Sequence, residues 1–345
     1  MFRHFPKDRR ERQSTQPTSL ALSPRFLIAR RKPVPSGQPV AFLVLMFTVL
    51  ACACVAAQSA PPDPVDAKKL IDARQLDSAE KMIVAQLIQS PRDPDWITLL
   101  AEVRLGQNRT REALKLIDDA NQLDGENAPR AMLASLAYSQ AGFMDRAEAP
   151  IRTAIRLDPS NATAHYFLGR LLYTDNRFDE AITESKKAIE LAPDFVRAYE
   201  NLGLSYEGRY QRDQAEHWYR EAIRHQEAGP QKTEWPLVDL AILLIHENRF
   251  DEARPYLVQA LEINPNNTQS LVQMGTLLEN GGDLKGALDR YRAAIRSDES
   301  GLQPGRASAY YKAARLCKRL GYADEAALYF RKFNEVHDKR NLVMR

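Results

Sequence analysis

Apolar residues recur along residues 60–340 in short helical stripes, two stripes to every 34 residues. In the stretch from Val196 to Gly229, Tyr199, Leu202 and Tyr206 share one face of a first helix. Ala215, Tyr219 and Ala222 share one face of a second. A polar turn separates the two stripes, and at the same point of successive copies it carries Asn108, Gly142, Asn176, Asn248, Gly282 or Gly321. These residue types accept the left-handed backbone that a tight turn between antiparallel helices needs. Proline recurs where the second helix should stop, at Pro91, Pro159, Pro193 and Pro265. Alanine occupies one column in every copy: Ala79, Ala113, Ala147, Ala181, Ala215, Ala253, Ala287 and Ala326. A second small column reads Ala120, Ala154, Ala188, Ala222, Ala260 and Ala294. Small side chains at such columns let helix axes approach closely, and bulk there would overpack the contact. One helix pair cannot bury its own apolar face, so the pairs must stack on one another.

With this phase the copies fall at 60–93, 94–127, 128–161, 162–195, 196–229, 234–267, 268–301 and 307–340. The spacing and the columns resemble the tetratricopeptide repeat (TPR) family, whose unit is a 34-residue helix-turn-helix. The resemblance implies an all-α fold, a right-handed superhelical solenoid of about eight repeats filling residues 58–345. The first copy has Lys68 in a small-residue position and Gln86 in the second Ala column, so it reads as a cap. At the other end, Phe330 and Phe333 lie on a second helix that no further repeat covers. Either the tail through Leu342, Val343 and Met344 folds back over them, or an apolar patch is left for a partner. The extra residues at 230–233 and 302–306 predict longer loops.

The first 57 residues have a different character. A basic stretch with Arg30, Arg31 and Lys32 precedes Val40 to Ala57, a run without charge. Its bulky residues end at Leu50, and only Ala, Cys and Val follow to Ala57, as a cleaved export signal requires. Cleavage before Gln58 is the reading this taper supports. Two alternatives stay open: an uncleaved membrane anchor, since the run reaches the lower limit of a span, and a lipoprotein signal. In the latter Val49-Leu50-Ala51-Cys52 would act as a lipobox and Cys52 as the lipidated residue. The expected location is therefore exported, periplasmic or secreted, with membrane contact only through this segment.

Charge changes the picture once the segments are separated. The whole chain carries 48 Lys and Arg against 45 Asp and Glu, but residues 1–38 hold 9 basic and 2 acidic residues, so the body is mildly acidic. A mildly acidic body without a basic run offers no phosphate-neutralising surface, which argues against a nucleic-acid partner. The six histidines (His4, His165, His217, His225, His246 and His337) form no chelating i,i+4 pair, and no phosphate loop or nucleophile elbow occurs. No catalytic residue, metal, cofactor or small-molecule substrate is expected. The sequon asparagines Asn108, Asn161 and Asn266 coincide with turns that favour Asn for structural reasons.

In the family, repeat positions 2, 5, 9 and 12 of the first helices line a concave groove. Carried over residue by residue, the resemblance implies a partner-binding face with Met132, Leu136, Tyr166, Arg170, Tyr173, Glu200, Leu204, Tyr311 and Arg315. Tyr166, Arg170 and Tyr173 are expected to form one exposed aromatic-cationic cluster, and Tyr311, Arg315 and Lys318 another. The implied function is a non-enzymatic scaffold or adaptor of the cell envelope or secreted space that holds another protein or peptide. The alternative is a membrane-anchored or lipid-attached assembly factor that organises an envelope complex.

Overall fold

The computed structural model describes residues 63–229, 232–297 and 305–343. The segment read as an export signal, with Cys52, lies outside them, as do parts of both predicted loops. Every regular element among the described residues is an α-helix. In chain order these are α1 (Pro64–Asp72), α2 (Leu76–Gln89), α3 (Pro94–Gly106), α4 (Thr110–Asp124), α5 (Ala128–Gln140), α6 (Met144–Leu157), α7 (Ala162–Thr174) and α8 (Phe178–Leu191). They continue as α9 (Val196–Gly208), α10 (Arg212–Ala228), α11 (Trp235–His246), α12 (Phe250–Ile263), α13 (Thr268–Asn280), α14 (Leu284–Ser297), α15 (Arg306–Leu320) and α16 (Ala323–Val343). The all-helical solenoid expected from the pattern is the fold.

The alanine columns explain the packing. Seven of the eight members of the first column are wholly out of solvent and Ala326 nearly so, and the second column is buried throughout. Each odd-numbered helix packs on its even-numbered partner, and odd-numbered helices also lie against those of neighbouring pairs. Even-numbered helices meet their partner and the odd-numbered helix that follows. The layer whose members touch one another is the inner one, so the odd-numbered helices line the concave side.

All eight turns within the pairs pass through a positive φ, at Arg74, Asn108, Gly142, Asn176, Tyr210, Asn248, Gly282 and Gly321. Asn and Gly were expected there. Arg74 and Tyr210 were not, and side chains with a full Cβ pay about 1–2 kcal/mol for that conformation. The sequon residues take structural roles: Asn108 makes the turn, and Asn161 caps α7 by accepting from the Ala164 amide at 3.0 Å. Lys68, the misfit of the first repeat, points outward and pairs with Asp72 and Glu102.

Ion pairs stitch successive pairs along their edge. Arg177, at the start of α8, donates to Glu148 of α6 at 2.7 Å and to Glu180 of its own helix. Arg249 repeats the device on Glu216 at 2.8 Å and on Glu252. The hydrogen bonds from Arg249 hold the Glu216 carboxyl below the usual carboxylate range. At the C-terminal end α16 runs unbroken to Val343, so the tail extends the last helix instead of folding back.

Candidate functional site

The structure brings some of the expected groove residues together and separates others. Met132, Leu136, Tyr166 and Arg170 line one open depression of about 220 Å³ between α5, α7 and the start of α9, with Phe167 and Arg197. Tyr166 is not the exposed residue the repeat phase implied. Only 5% of it meets solvent, because its ring packs on Phe167 and on Phe195, with centroids 5.4 and 4.9 Å away. Arg170 stays exposed and donates a long hydrogen bond of 3.4 Å to the Tyr166 hydroxyl. Tyr173 leaves this group: its ring lies 5.9 Å from Phe178, and its hydroxyl is under the influence of Glu207 and Asp239.

The second expected cluster also divides. Tyr311 is 45% exposed and meets the rings of Phe330 and Phe333 on α16. Arg315 turns away from it and pairs with Glu279 of α13 at 2.9 Å, joined there by Arg319 at 3.1 Å. Lys318 has no ring or acid contact of this kind among the described residues and lies exposed. Leu204 is half buried against a core that includes residues of α10, α11 and α12.

Beneath the groove one three-residue unit occurs twice. Gly203 on α9 lets the Tyr219 ring of α10 pass so closely that a Cβ there would lie 2.5 Å from it. The Tyr219 hydroxyl then donates to Glu207 at 2.8 Å. Gly275, Tyr291 and Glu279 do the same in α13 and α14: a Cβ on Gly275 would sit 2.5 Å from the Tyr291 ring, and the hydroxyl donates to Glu279 at 3.0 Å. The sequence pattern places Tyr219 on one face of a second helix but does not set it against a glycine and a glutamate. The signal was present, since Gly-x₃-Glu-x₁₁-Tyr appears in both places.

The electrostatics around the two copies differ. Near Glu207 lie Glu200 of α9 and Asp239 of α11, and among the described residues neither carboxylate receives a hydrogen bond or an ion pair. Burial pushes Glu200 up to about 7, against the pull of Arg170 and Arg197. Burial raises Asp239 well above the carboxylate range too, with Glu200 and Glu207 adding to it and Arg170 opposing. Asp239 keeps a little solvent contact, yet protein atoms crowd it on nearly every side, so the charge is poorly hydrated. Glu279, by contrast, faces the guanidinium groups of Arg315 and Arg319.

A larger cavity of about 920 Å³ opens beside the loop after α10, lined among others by Tyr166, Phe195, Arg197, His225 and Lys232. The His225 ring stacks on Tyr199 with centroids 4.3 Å apart. His165 is buried and contacts Glu184 at 2.7 Å. Among the described residues no group of His, Cys, Asp and Glu is placed to hold a metal ion, and no helix is long and apolar enough to cross a membrane.

Comparison with known proteins agrees with this geometry. Two forms of the family described as "Tetratricopeptide repeat" match residues 132–194 with 272–333, and residues 194–266. The cellulose synthase operon protein C of Pseudomonas fluorescens (strain SBW25) is 26% identical over 252 residues, which is 69% of this chain but 17% of that protein. The type IV pilus assembly protein PilF of Pseudomonas aeruginosa is 27% identical over 149 residues, 41% of this chain and 56% of its own length. The chain thus spans well under two thirds of either relative. Among solved structures, that of Pseudomonas aeruginosa PilF superposes with a TM-score of 0.52 at 22% identity, over 59% of this chain and 90% of that one. A tetratricopeptide repeat protein from Parabacteroides merdae ATCC 43184 superposes with a TM-score of 0.55 at 17% identity, over 67% and 90%. Proteins built of these repeats bind peptides or other proteins, and with matched segments covering more than half of its length, this chain belongs to the tetratricopeptide repeat family.

Proposed function

We propose that this chain is a non-enzymatic scaffold of the cell envelope or secreted space, which holds a segment of another protein in the groove lined by its odd-numbered helices. The observation that carries the reading is the open depression where Met132, Leu136 and Arg170 converge, with Arg170 also acting on the carboxylates of Glu200 and Asp239. An apolar floor next to a charged patch is the composition of a binding surface with anchors and orientation. The receptor side is built from packed helices, so little ordering opposes binding. Capture from an envelope extract with the full chain as bait tests it. The variant Met132→Ala with Arg170→Ala should lose the captured partner by roughly 2 kcal/mol of binding, about thirtyfold, with unchanged far-ultraviolet circular dichroism. Retained capture by that variant, with loss on replacing the outer-helix residues Lys115 and Asp118, would place the site on the convex side.

A second reading, an anchored or lipid-attached factor that organises an envelope complex, is favoured by the likeness to a pilus assembly protein. Residues 40–57 decide between the two. A mature chain that begins at Gln58 supports export without an anchor. A blocked terminus at Cys52 supports lipid attachment, and an intact Met1 in the membrane fraction supports an uncleaved anchor.

A further inference from the structure

The Gly-Glu-Tyr unit occurs twice, but the chain completes it only once. In α13 and α14 the carboxylate of Glu279 accepts from the Tyr291 hydroxyl and from two guanidinium groups, Arg315 at 2.9 Å and Arg319 at 3.1 Å, both supplied by the next odd-numbered helix. In α9 and α10 the carboxylate of Glu207 accepts from the Tyr219 hydroxyl, and that is its only hydrogen bond among the described residues. The next odd-numbered helix, α11, carries Ile242 and His246 where α15 has Arg315 and Arg319, and Asp239 where α15 has Lys312. Instead of cations, the neighbour brings another carboxylate.

We infer that the basin between α7, α9 and α11 takes a guanidinium group from the bound partner, an arginine side chain held by Glu207 and Asp239. This rests on the groove reading above and names the chemistry of its occupant. The C-terminal copy shows what the unit accepts: the same Tyr-supported carboxylate, with a guanidinium at contact distance. The charged and titratable groups around the basin are Arg170 and Tyr173 on α7, Arg197, Glu200 and Glu207 on α9, Tyr219 on α10, Asp239 on α11, and Glu234 just before α11, which accepts from Asn264 and Asn267. Both arginines act on Glu200 and Arg170 also on Asp239, but neither makes an ion pair with Glu207 or Asp239. Asp239 is crowded by protein, has no hydrogen-bond partner among the described residues, and lies close enough to Glu200 and Glu207 for their charges to act on it. An unpaired carboxylate so placed is costly, and a planar donor that satisfies two acid groups at once relieves that cost. Arg fits better than Lys, because its planar fork can serve two carboxylates at once.

The probe is the acetylated, amidated tetrapeptide of arginine, compared by calorimetry with the tetracitrulline analogue, which keeps the shape and loses the charge. The full chain should bind tetra-arginine at least tenfold more tightly than tetracitrulline at pH 8 and low salt. Affinity should fall between pH 8 and pH 5.5 as the basin carboxylates take up protons. Asp239→Asn should lose at least fivefold in affinity, Glu207→Gln a similar factor, and the exposed Asp118→Asn on α4 nothing. Circular dichroism checks that each variant is folded, and two independent basin variants keep the test intact if one is not. Equal binding of the two peptides, or tetra-arginine binding indifferent to both basin variants, overturns the inference. If the natural partner is captured equally by Asp239→Asn and wild type, the scaffold reading stands and the arginine assignment fails. If tetra-arginine binds as stated while no partner is captured through the groove, the reverse holds.

Discussion

The pairs α9–α10 and α13–α14 solve one packing problem with the same three residues, and then part company. In both a glycine admits a tyrosine ring, and the tyrosine hydroxyl holds a glutamate at the groove surface. Around Glu279 the chain adds Arg315 and Arg319; around Glu207 it adds Glu200 and Asp239. The shared part therefore belongs to stacking, because both regions need it. The part that differs is the charge offered to whatever lies in the groove. Glutamates on the outer edge such as Glu216, fully occupied by Arg249, show that this chain can neutralise its acids where stability is the purpose.

The largest effect should come from the shared part, and it should be equal in the two regions. Gly203→Leu and Gly275→Leu each force a side chain into a tyrosine ring that already lies 2.5 Å from the missing Cβ. Each variant should lose about 3 kcal/mol or more of stability, read as a lowered thermal or urea midpoint. If one melts like wild type, the two units are not equivalent and the comparison fails at its base.

The small-residue columns, the turns and the phase of the helices were legible because period 34 imposes the same contact on every copy. A buried Ala at Ala113 or Ala253 is dictated by the neighbouring helix, and local pattern suffices to find it. The site was less legible, since repeat phase tells which face a residue is on but not what leans across it. Tyr166 is on the groove face and still buried, because Phe195 from the next pair closes over it. Glu207 and Asp239 lie 32 residues apart on different helices, and no single-helix reading sets one against the other. Arg74 and Tyr210 hide a left-handed turn that only the alignment of all eight copies reveals.

Next in size is Tyr166→Ala, which separates the apolar depression from the acidic basin. Removing a buried ring should cost about 3 kcal/mol of stability. Partner capture through the depression should fall, whereas tetra-arginine affinity should stay within twofold of wild type, because neither Glu207 nor Asp239 touches that ring. A parallel loss of both would merge the two sites into one.

A smaller change should make the C-terminal region resemble the central one. With Arg315→Ala and Arg319→Ala together, Glu279 is left with the Tyr291 hydroxyl alone, as Glu207 is with Tyr219. Both guanidinium groups are about half exposed, so the loss of stability should be at most about 1 kcal/mol. The informative readout is binding: the double variant should gain a second tetra-arginine site. No gain would mean that Asp239, absent from the C-terminal copy, is indispensable to the basin.

The smallest effect, and the one that isolates the basin's electrostatics, is the pH dependence of Glu200→Gln. Burial raises the Glu200 carboxyl in the folded chain to about 7, above the ordinary glutamate value near 4.3 that the unfolded chain keeps. Between those two values the native state holds a proton that the unfolded state has released. Stability must then fall as pH rises through that window, the opposite of the behaviour of Glu216, whose lowered carboxyl favours folding above its unfolded value and loses that contribution on acidification. Glu200→Gln removes the group that has to ionise, so it should melt like wild type at pH 4 and above wild type at pH 8. The gain should be a few tenths of a kcal/mol to about 1 kcal/mol, because the side chain keeps some solvent contact and Arg170 partly compensates it. Glu216→Gln should show the reverse trend, with its largest penalty at pH 8. Melting curves of the two variants at pH 4, 6 and 8 check both signs at once. If Glu200→Gln is less stable than wild type at pH 8, its carboxylate is already satisfied, and the contrast between a neutralised outer edge and an uncompensated groove would not hold at that position.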